Sequence, residues 1–401
     1  AYFKVFQRYC EGEKGSAAIK SSLPLLVGRA VRILSAHLKY SCVHYGPVDN
    51  KIWIRLGLLY KHAERQEYLA TPITLYTTFP RQTSVKREVA KLLGWHGCGV
   101  ASLSPLAMHL TEHIIAQYIQ TLDVTAQPSP KTLFGFDLNA VAPPHRVNID
   151  TTVHPYMRFV DMAGMSEKLE QLIKVLNKNI IPDDLVLGGD YDPELVKEAA
   201  LYLLEFVTSP PQRRAARRLA KVQISVVKGY NKALECMAED DPYSNKISDW
   251  KLGNISATGF YAILPQRGNE TMRIGELLAI QPEGLSNWGI AVVSRLMRDE
   301  ESLLHVGADI LASHTSIVTL RSSIGGARLD DEQSALWLHS KAGEEESNLV
   351  CLLVANYMPN SSFHTALGGK KYLLIPQSLK YKHQDCDRVE FRFIEQDDSD
   401  E

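Results

Sequence analysis

Apolar residues in the first half of the chain recur at three- and four-residue spacing, which is the period of an α-helix with one buried face. The pattern predicts helices in SSLPLLVGRAVRILSAHLKYSCVHY, NKIWIRLGLLYKHAERQEYLA, SVKREVAKLLGW, SPLAMHLTEHIIAQYIQTL, MSEKLEQLIKVLNKN and YDPELVKEAALYLLEFVTSPP. The last segment begins with Asp192 as an N-cap and Pro193 in the first turn, and Pro210 and Pro211 end it. We therefore predict a mainly helical N-terminal domain over residues 1–208.

Beyond the two prolines the apolar period changes to two, which indicates β-strands. The segments are KVQISVVKG, GFYAILPQ, TMRIGELLAIQP, NWGIAVVSRLMRD and LLHVGADIL. Their length and spacing predict a small antiparallel β-barrel over residues 209–325. SNLVCLLVANYM, KKYLLIPQSLKY and RVEFRFIEQ predict a β-rich C-terminal extension over residues 326–401, which ends in an acidic tail, QDDSDE, that we expect to be disordered. The fold class expected is α+β.

Charge and cysteine content narrow the class of protein. The 44 Lys and Arg residues nearly balance the 46 Asp and Glu residues, for a net charge of −2, which argues against a protein that coats nucleic acid. No apolar run is long enough to predict a membrane span, and the first residues lack the pattern of a secretory signal. The six cysteines are spread singly. We therefore expect a cytoplasmic protein, in which any anion-binding role is local.

Positive charge is concentrated where the predicted helices end and the strands begin. Arg213, Arg214, Arg217, Arg218 and Lys221 lie within nine positions, directly ahead of KVQISVVKG. Alone, such a run is typical of a solvent-exposed linker, and an R-x-x-x-R spacing often arises by chance. The cluster contains that spacing in two registers, Arg213 with Arg217 and Arg214 with Arg218.

A polar motif follows in the predicted barrel. In GNISATGF, the residues Asn254, Ser256 and Gly259 form the pattern N-x-S-x-x-G between two strand-like segments. The Asn and Ser side chains supply donors and acceptors, and Gly259 can adopt the positive φ that a tight turn requires. Alone, the motif is typical of a hairpin loop.

Together and in this order, the two motifs resemble the PilZ family of cyclic di-GMP receptors, in which R-x-x-x-R precedes a small barrel that carries [DN]-x-S-x-x-G. The part of the family's sequence that follows the second motif is similar to RIGELLAIQP, WGIAVVSRLMRD and HVGADIL in this chain. The resemblance therefore spans roughly residues 210–320. It implies a bacterial signalling protein that binds cyclic di-GMP without turning it over. It also implies a change in conformation that regulates a protein partner through the helical region.

The resemblance further implies which residues bind the ligand. They are Arg213, Arg214, Arg217, Arg218, Asn254, Ser256 and Gly259. Of the two registers we favour Arg214 with Arg218, and the other stays open. The chemistry is suitable, because a guanidinium can bond to a phosphate, form a fork to guanine O6 and N7, or stack on a purine.

Two other hypotheses are kept. The first is a degenerate barrel that binds a protein partner with its basic segment and binds no nucleotide. The second is a zinc hydrolase built on HLTEH, where His109 and His113 share a helix face and Glu112 would activate water. No third ligand stands out in the sequence, so two half-exposed helical histidines are the favoured interpretation. We accordingly predict a protein that is not an enzyme and that has no metal, no cofactor and no nucleic-acid partner.

Overall fold

The computed structural model confirms the α+β class, with eight α-helices and nineteen β-strands in the part of the chain it describes. It describes residues 1–77, 79–148, 151–209, 218–219, 222–239, 247–324, 327–339, 349–353, 357–359, 361–367 and 369–396. The Pro210-Pro211 break and the acidic tail after Gln396 lie outside these residues. The chain divides into two compact units, Ala1–Gln212 and Arg213–Glu401.

The described residues of the first unit contain seven α-helices. They are α1 (Tyr2–Cys10), α2 (Leu23–Val43), α3 (Lys51–Arg65), α4 (Val85–Gly97), α5 (Pro105–Gln117), α6 (Met165–Leu176) and α7 (Pro193–Thr208). The side chains of Ser84, Ser104 and Asp192 cap the first turns of α4, α5 and α7, and a proline follows the cap in α5 and α7. Helices α2 to α7 are the six that the apolar period predicts.

The first unit also contains strands, which the sequence did not predict. Its described residues form six strands: β1 (Ile73–Tyr76), β2 (Phe79–Thr83), β3 (Asp123–Thr125), β4 (Thr132–Asp137), β5 (His145–Arg146) and β6 (Met157–Asp161). The first two pair as a hairpin, and the other four form an antiparallel sheet in the order β3-β6-β4-β5. Helices and sheet share one apolar core, which includes Trp53, Leu93, Phe134, Leu169 and Leu203.

The second unit begins with a closed six-stranded barrel. Its elements are β7 (Arg218–Leu219), β8 (Gln223–Lys228), α8 (Tyr230–Glu239), β9 (Ile247–Ser256), β10 (Gly259–Pro265), β11 (Leu277–Pro282), β12 (Gly289–Arg298) and β13 (Leu303–Ala312). The order β8-β9-β10-β13-β12-β11 closes on itself, and β7 adds to β9. Alternate residues such as Ile224, Leu252, Phe260 and Val306 are buried, as the period of two requires. The small antiparallel barrel predicted from the sequence is therefore present.

A second closed barrel follows in the same unit. It is formed by β14 (Thr315–Ile324), β15 (Ala327–Leu338), β16 (Leu349–Leu353), β17 (Ser362–Leu367), β18 (Lys370–Lys382) and β19 (Cys386–Gln396), in the order β14-β15-β16-β19-β18-β17. Its core includes Leu320, Val350, Phe363 and Phe391. The β-rich C-terminal segment is thus a barrel in its own right, and its first strand starts before residue 326. The division into three domains stays a prediction.

Helix α8 joins the two barrels through a shared core. Tyr230 of α8, Leu277 of β11 and Cys351 of β16 belong to one buried cluster. In the turn between β18 and β19, Asp385 accepts hydrogen bonds from Tyr230 N (2.8 Å) and Leu277 N (3.1 Å). Because β11 is covered on one face by its own barrel and on the other by this cluster, four successive residues from Leu277 are buried.

No helix in the described ranges combines the length and the apolar character needed to cross a bilayer. The six cysteines are free thiols, and all but Cys10 are buried.

Candidate functional site

The end of the basic cluster lies beside the polar motif. Strand β7 runs antiparallel to β9, with Arg218 in register with Ile255 and Leu219 in register with Asn254. Strand β8 pairs with the same edge of β9, and just before β8 Leu252 N donates to Val222 O (2.9 Å). Both residues of β7 are exposed. Arg218, the last arginine of the cluster, is thus adjacent to the polar motif on the barrel surface.

A one-residue bulge at Gly253 turns the motif outward. Tyr261 of β10 lies opposite Asn254, and the next residue, Ala262, lies opposite Leu252, so Gly253 is the extra residue. An extra residue reverses the alternation of side chains between the two faces of a strand. Leu252 is accordingly buried, whereas Asn254 lies on the outer face with Tyr261.

Ser256 and Gly259 form the turn between β9 and β10. The two residues pair in the ladder, and Ser256 Oγ donates to Gly259 O (3.1 Å). A Cβ at position 259 would lie 2.6 Å from Ala308 O of β13, so only glycine allows this approach. The φ of Gly259 is not positive. The expectation that glycine is needed here for its conformational freedom is therefore wrong, and the requirement is for space.

Asn254 has an unused hydrogen-bonding atom. Its Oδ1 is buried and finds no partner among the described residues. An unpaired buried acceptor costs roughly 1–3 kcal/mol, and a ligand donor reaches this one only when the side chain turns toward solvent. Rotation about χ2 exchanges the positions of the amide oxygen and nitrogen, so Asn254 can offer either an acceptor or a donor.

A hydrogen-bonded chain that the sequence did not reveal lies next to the motif. The Tyr261 hydroxyl bonds to His305 Nδ1 on β13, and His305 Nε2 lies 2.7 Å from Asp299 Oδ2. Partial burial and the nearby Asp299 carboxylate raise the pKa of Tyr261, so its hydroxyl stays protonated. Its bond to His305 lowers the pKa of Asp299, which is therefore an ionised acceptor. The only sequence signal was a tyrosine two positions after the motif glycine.

Four of the seven predicted ligand-binding residues lie within the described part of the chain, and the structure brings them together at the start of β10. The remaining three, Arg213, Arg214 and Arg217, lie outside the described residues. Which R-x-x-x-R register binds stays a prediction.

The candidate zinc motif is occupied by structural contacts. His109 Nε2 and His113 Nδ1 each lie 2.8 Å from a backbone carbonyl, of Leu187 and Val186 respectively. Glu112 is paired with two lysines, Lys39 (2.6 Å) and Lys91 (3.2 Å). Burial opposes ionisation of this carboxyl, but the two lysines outweigh it and lower its pKa to about 2.

A carboxylate held by two ammonium groups is a poor general base. Across the described ranges, no group of three His, Cys, Asp or Glu side chains is placed to hold a metal ion. These contacts favour a structural role for His109, Glu112 and His113.

Comparison with known families gives a match within the first unit, not within the barrels. Residues 1–129 match the family model of the cyclic-di-GMP receptor FimW, N-terminal domain. This match confirms the predicted resemblance at the level of a cyclic di-GMP receptor family. It does not cover the barrels, so the PilZ identity of the first barrel stays a prediction. No curated protein and no solved structure matches the chain.

Proposed function

We propose that the chain is a cyclic di-GMP receptor that binds its ligand on the outer face of the first barrel, between the arginine segment 213–218 and the motif Asn254–Gly259. The register of β7 with β9 carries the proposal, because it sets Arg218 opposite Ile255, between the two polar residues of the motif. A linker with no role in the site would not be expected to pair with the part of β9 that carries the motif.

Two separate parts of the chain support the same ligand. The family match covers residues 1–129, whereas the arginine and N-x-S-x-x-G motifs lie between residues 213 and 259. Neither observation depends on the other. Their agreement favours a receptor over a degenerate barrel that binds a protein partner only.

The residues of the site have complementary tasks. Arg218 is exposed and can form charge-assisted bonds to a phosphate or a fork to guanine. Asn254 and Ser256 on the adjoining strand offer short polar groups to a base edge. We infer that the ligand is bound and not turned over, and that its binding changes the conformation presented to a protein partner through the helical region. We also propose that the chain has three domains, with limits 1–208, 209–325 and 326–401, and that the protein is cytoplasmic.

Calorimetric titration of the full chain with cyclic di-GMP tests this function. We expect saturable binding by the parent and a loss of at least about tenfold in affinity for Arg218→Ala, since a charge-assisted bond contributes roughly 1.5–3 kcal/mol. Two double variants compare the two registers of the R-x-x-x-R motif: Arg214→Ala/Arg218→Ala and Arg213→Ala/Arg217→Ala. Arg267→Ala, an exposed arginine beyond the far end of β10, is the matched control and should bind like the parent.

Absence of heat from the parent would contradict the receptor function and leave the interaction-module hypothesis. Equal affinity in the parent, in Arg218→Ala and in both double variants would show that the ligand binds elsewhere.

A further inference from the structure

The outer face of the first barrel carries a row of residues that continues beyond the motif. Asn254 of β9 is in register with Tyr261 of β10, Tyr261 with Gly307 of β13, and Gly307 with Arg295 of β12. Tyr261 and Gly307 are partly exposed and Arg295 is exposed, while their neighbours along each strand are buried apart from Ser294, which is half-buried. Three residues outside the proposed motif therefore extend its surface across two more strands.

Gly307 leaves a gap between two flat side-chain groups. Tyr261 and Arg295 stand two strands apart, which is roughly 9–10 Å at the usual strand spacing. A planar ring in contact with a group on each face needs about 7 Å, twice the carbon contact distance. A Cβ at Gly307 would lie 3.1 Å from the Arg295 Cβ, so any larger residue would enter this gap. The space holds one planar heterocycle, and contact on both faces requires the two side chains to lean toward it by roughly 2–3 Å in total.

Tyr261 is held in place from two sides. Its hydroxyl is hydrogen-bonded to His305 Nδ1, His305 Nε2 is hydrogen-bonded to Asp299 Oδ2, and Asp299 Oδ1 accepts from Leu303 N (2.9 Å). In the Nε2–H tautomer of the imidazole, the Tyr261 hydroxyl donates to Nδ1 and Nε2 donates to the carboxylate. On the other side, a Cβ at Gly253 would lie 3.0 Å from Tyr261 Cδ1, so the ring rests against a residue without a side chain. A ring fixed before binding loses little entropy when a base stacks on it.

Asp309 provides an acceptor at the same place. It lies two positions beyond Gly307 on the same face of β13, and it is exposed and in register with Gly259 of the motif. A carboxylate only accepts hydrogen bonds, and it repels phosphate. The group next to Asp309 should therefore be a base that offers donors, as the N1–H and N2 amino edge of guanine does.

From this geometry we propose that Tyr261 and Arg295 stack on the two faces of one guanine of the ligand above Gly307, and that Asp309 accepts from that guanine's edge. The proposal rests on the proposed function and deepens it by naming the residues that select the base. An aromatic ring and a guanidinium both stack well on a purine. The phosphates then face the arginine segment.

Titration of variants with cyclic di-GMP and cyclic di-AMP tests the proposal. Tyr261→Ala and Arg295→Ala should each weaken binding of cyclic di-GMP by about ten- to hundredfold, as loss of a stacking partner does. Asp309→Asn should reduce the preference for guanine over adenine, which a purely structural role would not change. Tyr381→Ala is the control, since Tyr381 is a 61% exposed tyrosine on the second barrel.

A parent that binds cyclic di-GMP, with these three variants unchanged in affinity and base preference, would overturn this proposal and leave the receptor function intact. A parent that does not bind would overturn both. Incorporation of 3-fluorotyrosine covers the case in which Tyr261→Ala does not fold. The ¹⁹F signal that disappears in Tyr261→Phe should shift when the parent binds ligand, and a parent signal unmoved at saturation would also overturn the stacking proposal.

Discussion

At Gly259 a single missing side chain decides how closely two strands of the first barrel approach. The carbonyl of Ala308 occupies the space that a Cβ would need. The same glycine starts β10 and accepts the hydrogen bond from Ser256. A change at this position therefore acts on the barrel and on the candidate site together.

We predict that Gly259→Ala destabilises the second unit by about 2 kcal/mol, because β10 and β13 must move apart to admit the methyl group. Thermal unfolding followed by circular dichroism measures this. Gly46→Ala is the control, since a Cβ there would meet its nearest atom at an ordinary 3.6 Å. An unchanged melting temperature for Gly259→Ala would show that the strand contact is loose.

The residues of the candidate site differ in how far the sequence could reveal them. Asn254, Ser256 and Gly259 follow a local spacing, and a spacing can be read without a structure. Tyr261 and His305 meet only because β10 and β13 pair in a particular register. Register depends on the whole barrel, so no local pattern identifies such a contact.

At the scale of elements, Glu112 of α5 connects three helices of the first unit. It pairs with Lys39 of α2 and with Lys91 of α4, whose side chain is almost fully buried. The pKa of Glu112 is lowered to about 2, so the folded state favours the ionised carboxylate. The three charges have a stabilising effect only while this carboxylate is ionised.

We predict that this contribution is complete above about pH 5, where Glu112 is ionised in the unfolded chain as well, and is lost as the pH falls toward 2. Its size is about 3 kcal/mol. Glu112→Gln should therefore be less stable than the parent at pH 7 by about that amount, with a difference that shrinks in acid. Calorimetric unfolding at several pH values measures it.

The control for this prediction is Glu13→Gln, which removes an exposed carboxylate paired with Arg8 and should change little. A difference between Glu112→Gln and the parent that stays constant down to pH 3 would contradict the assigned role.

Helices and strands could be predicted from the sequence where the spacing of apolar residues repeated several times. Helices α2 to α7 have at least three turns with apolar residues on one face, and the period of 3.6 identifies them. Strands β3, β4, β5 and β6 have six residues or fewer and lie around a proline-rich passage. Strands this short leave too few residues for a period of two to appear, and β6 is buried on both faces and does not alternate. Helix α8 has only ten residues, and the two barrels bury Tyr230, Ala233 and Cys236 on one face of it, so its apolar period is too short to stand out.

At the scale of the whole molecule, charge is nearly balanced, with a formal net charge of −2. The overall field therefore does not attract an anionic ligand, and affinity must come from the local cluster. The fold class and the presence of a barrel could be read from the change of period after Thr208. The second closed barrel could not, because closure depends on the pairing of β14 with β17, strands that are far apart in the chain.

The location of the ligand is the central claim, and hydrogen exchange of the full chain with and without cyclic di-GMP tests it most directly. The amides of residues 250–262 and of β7 should exchange more slowly when the ligand is bound, because the ligand covers β9, β10 and the adjoining arginine segment. The amides of β18 in the second barrel serve as the internal reference and should be unaffected. Protection confined to the second barrel, or no protection at ligand saturation, would contradict the account.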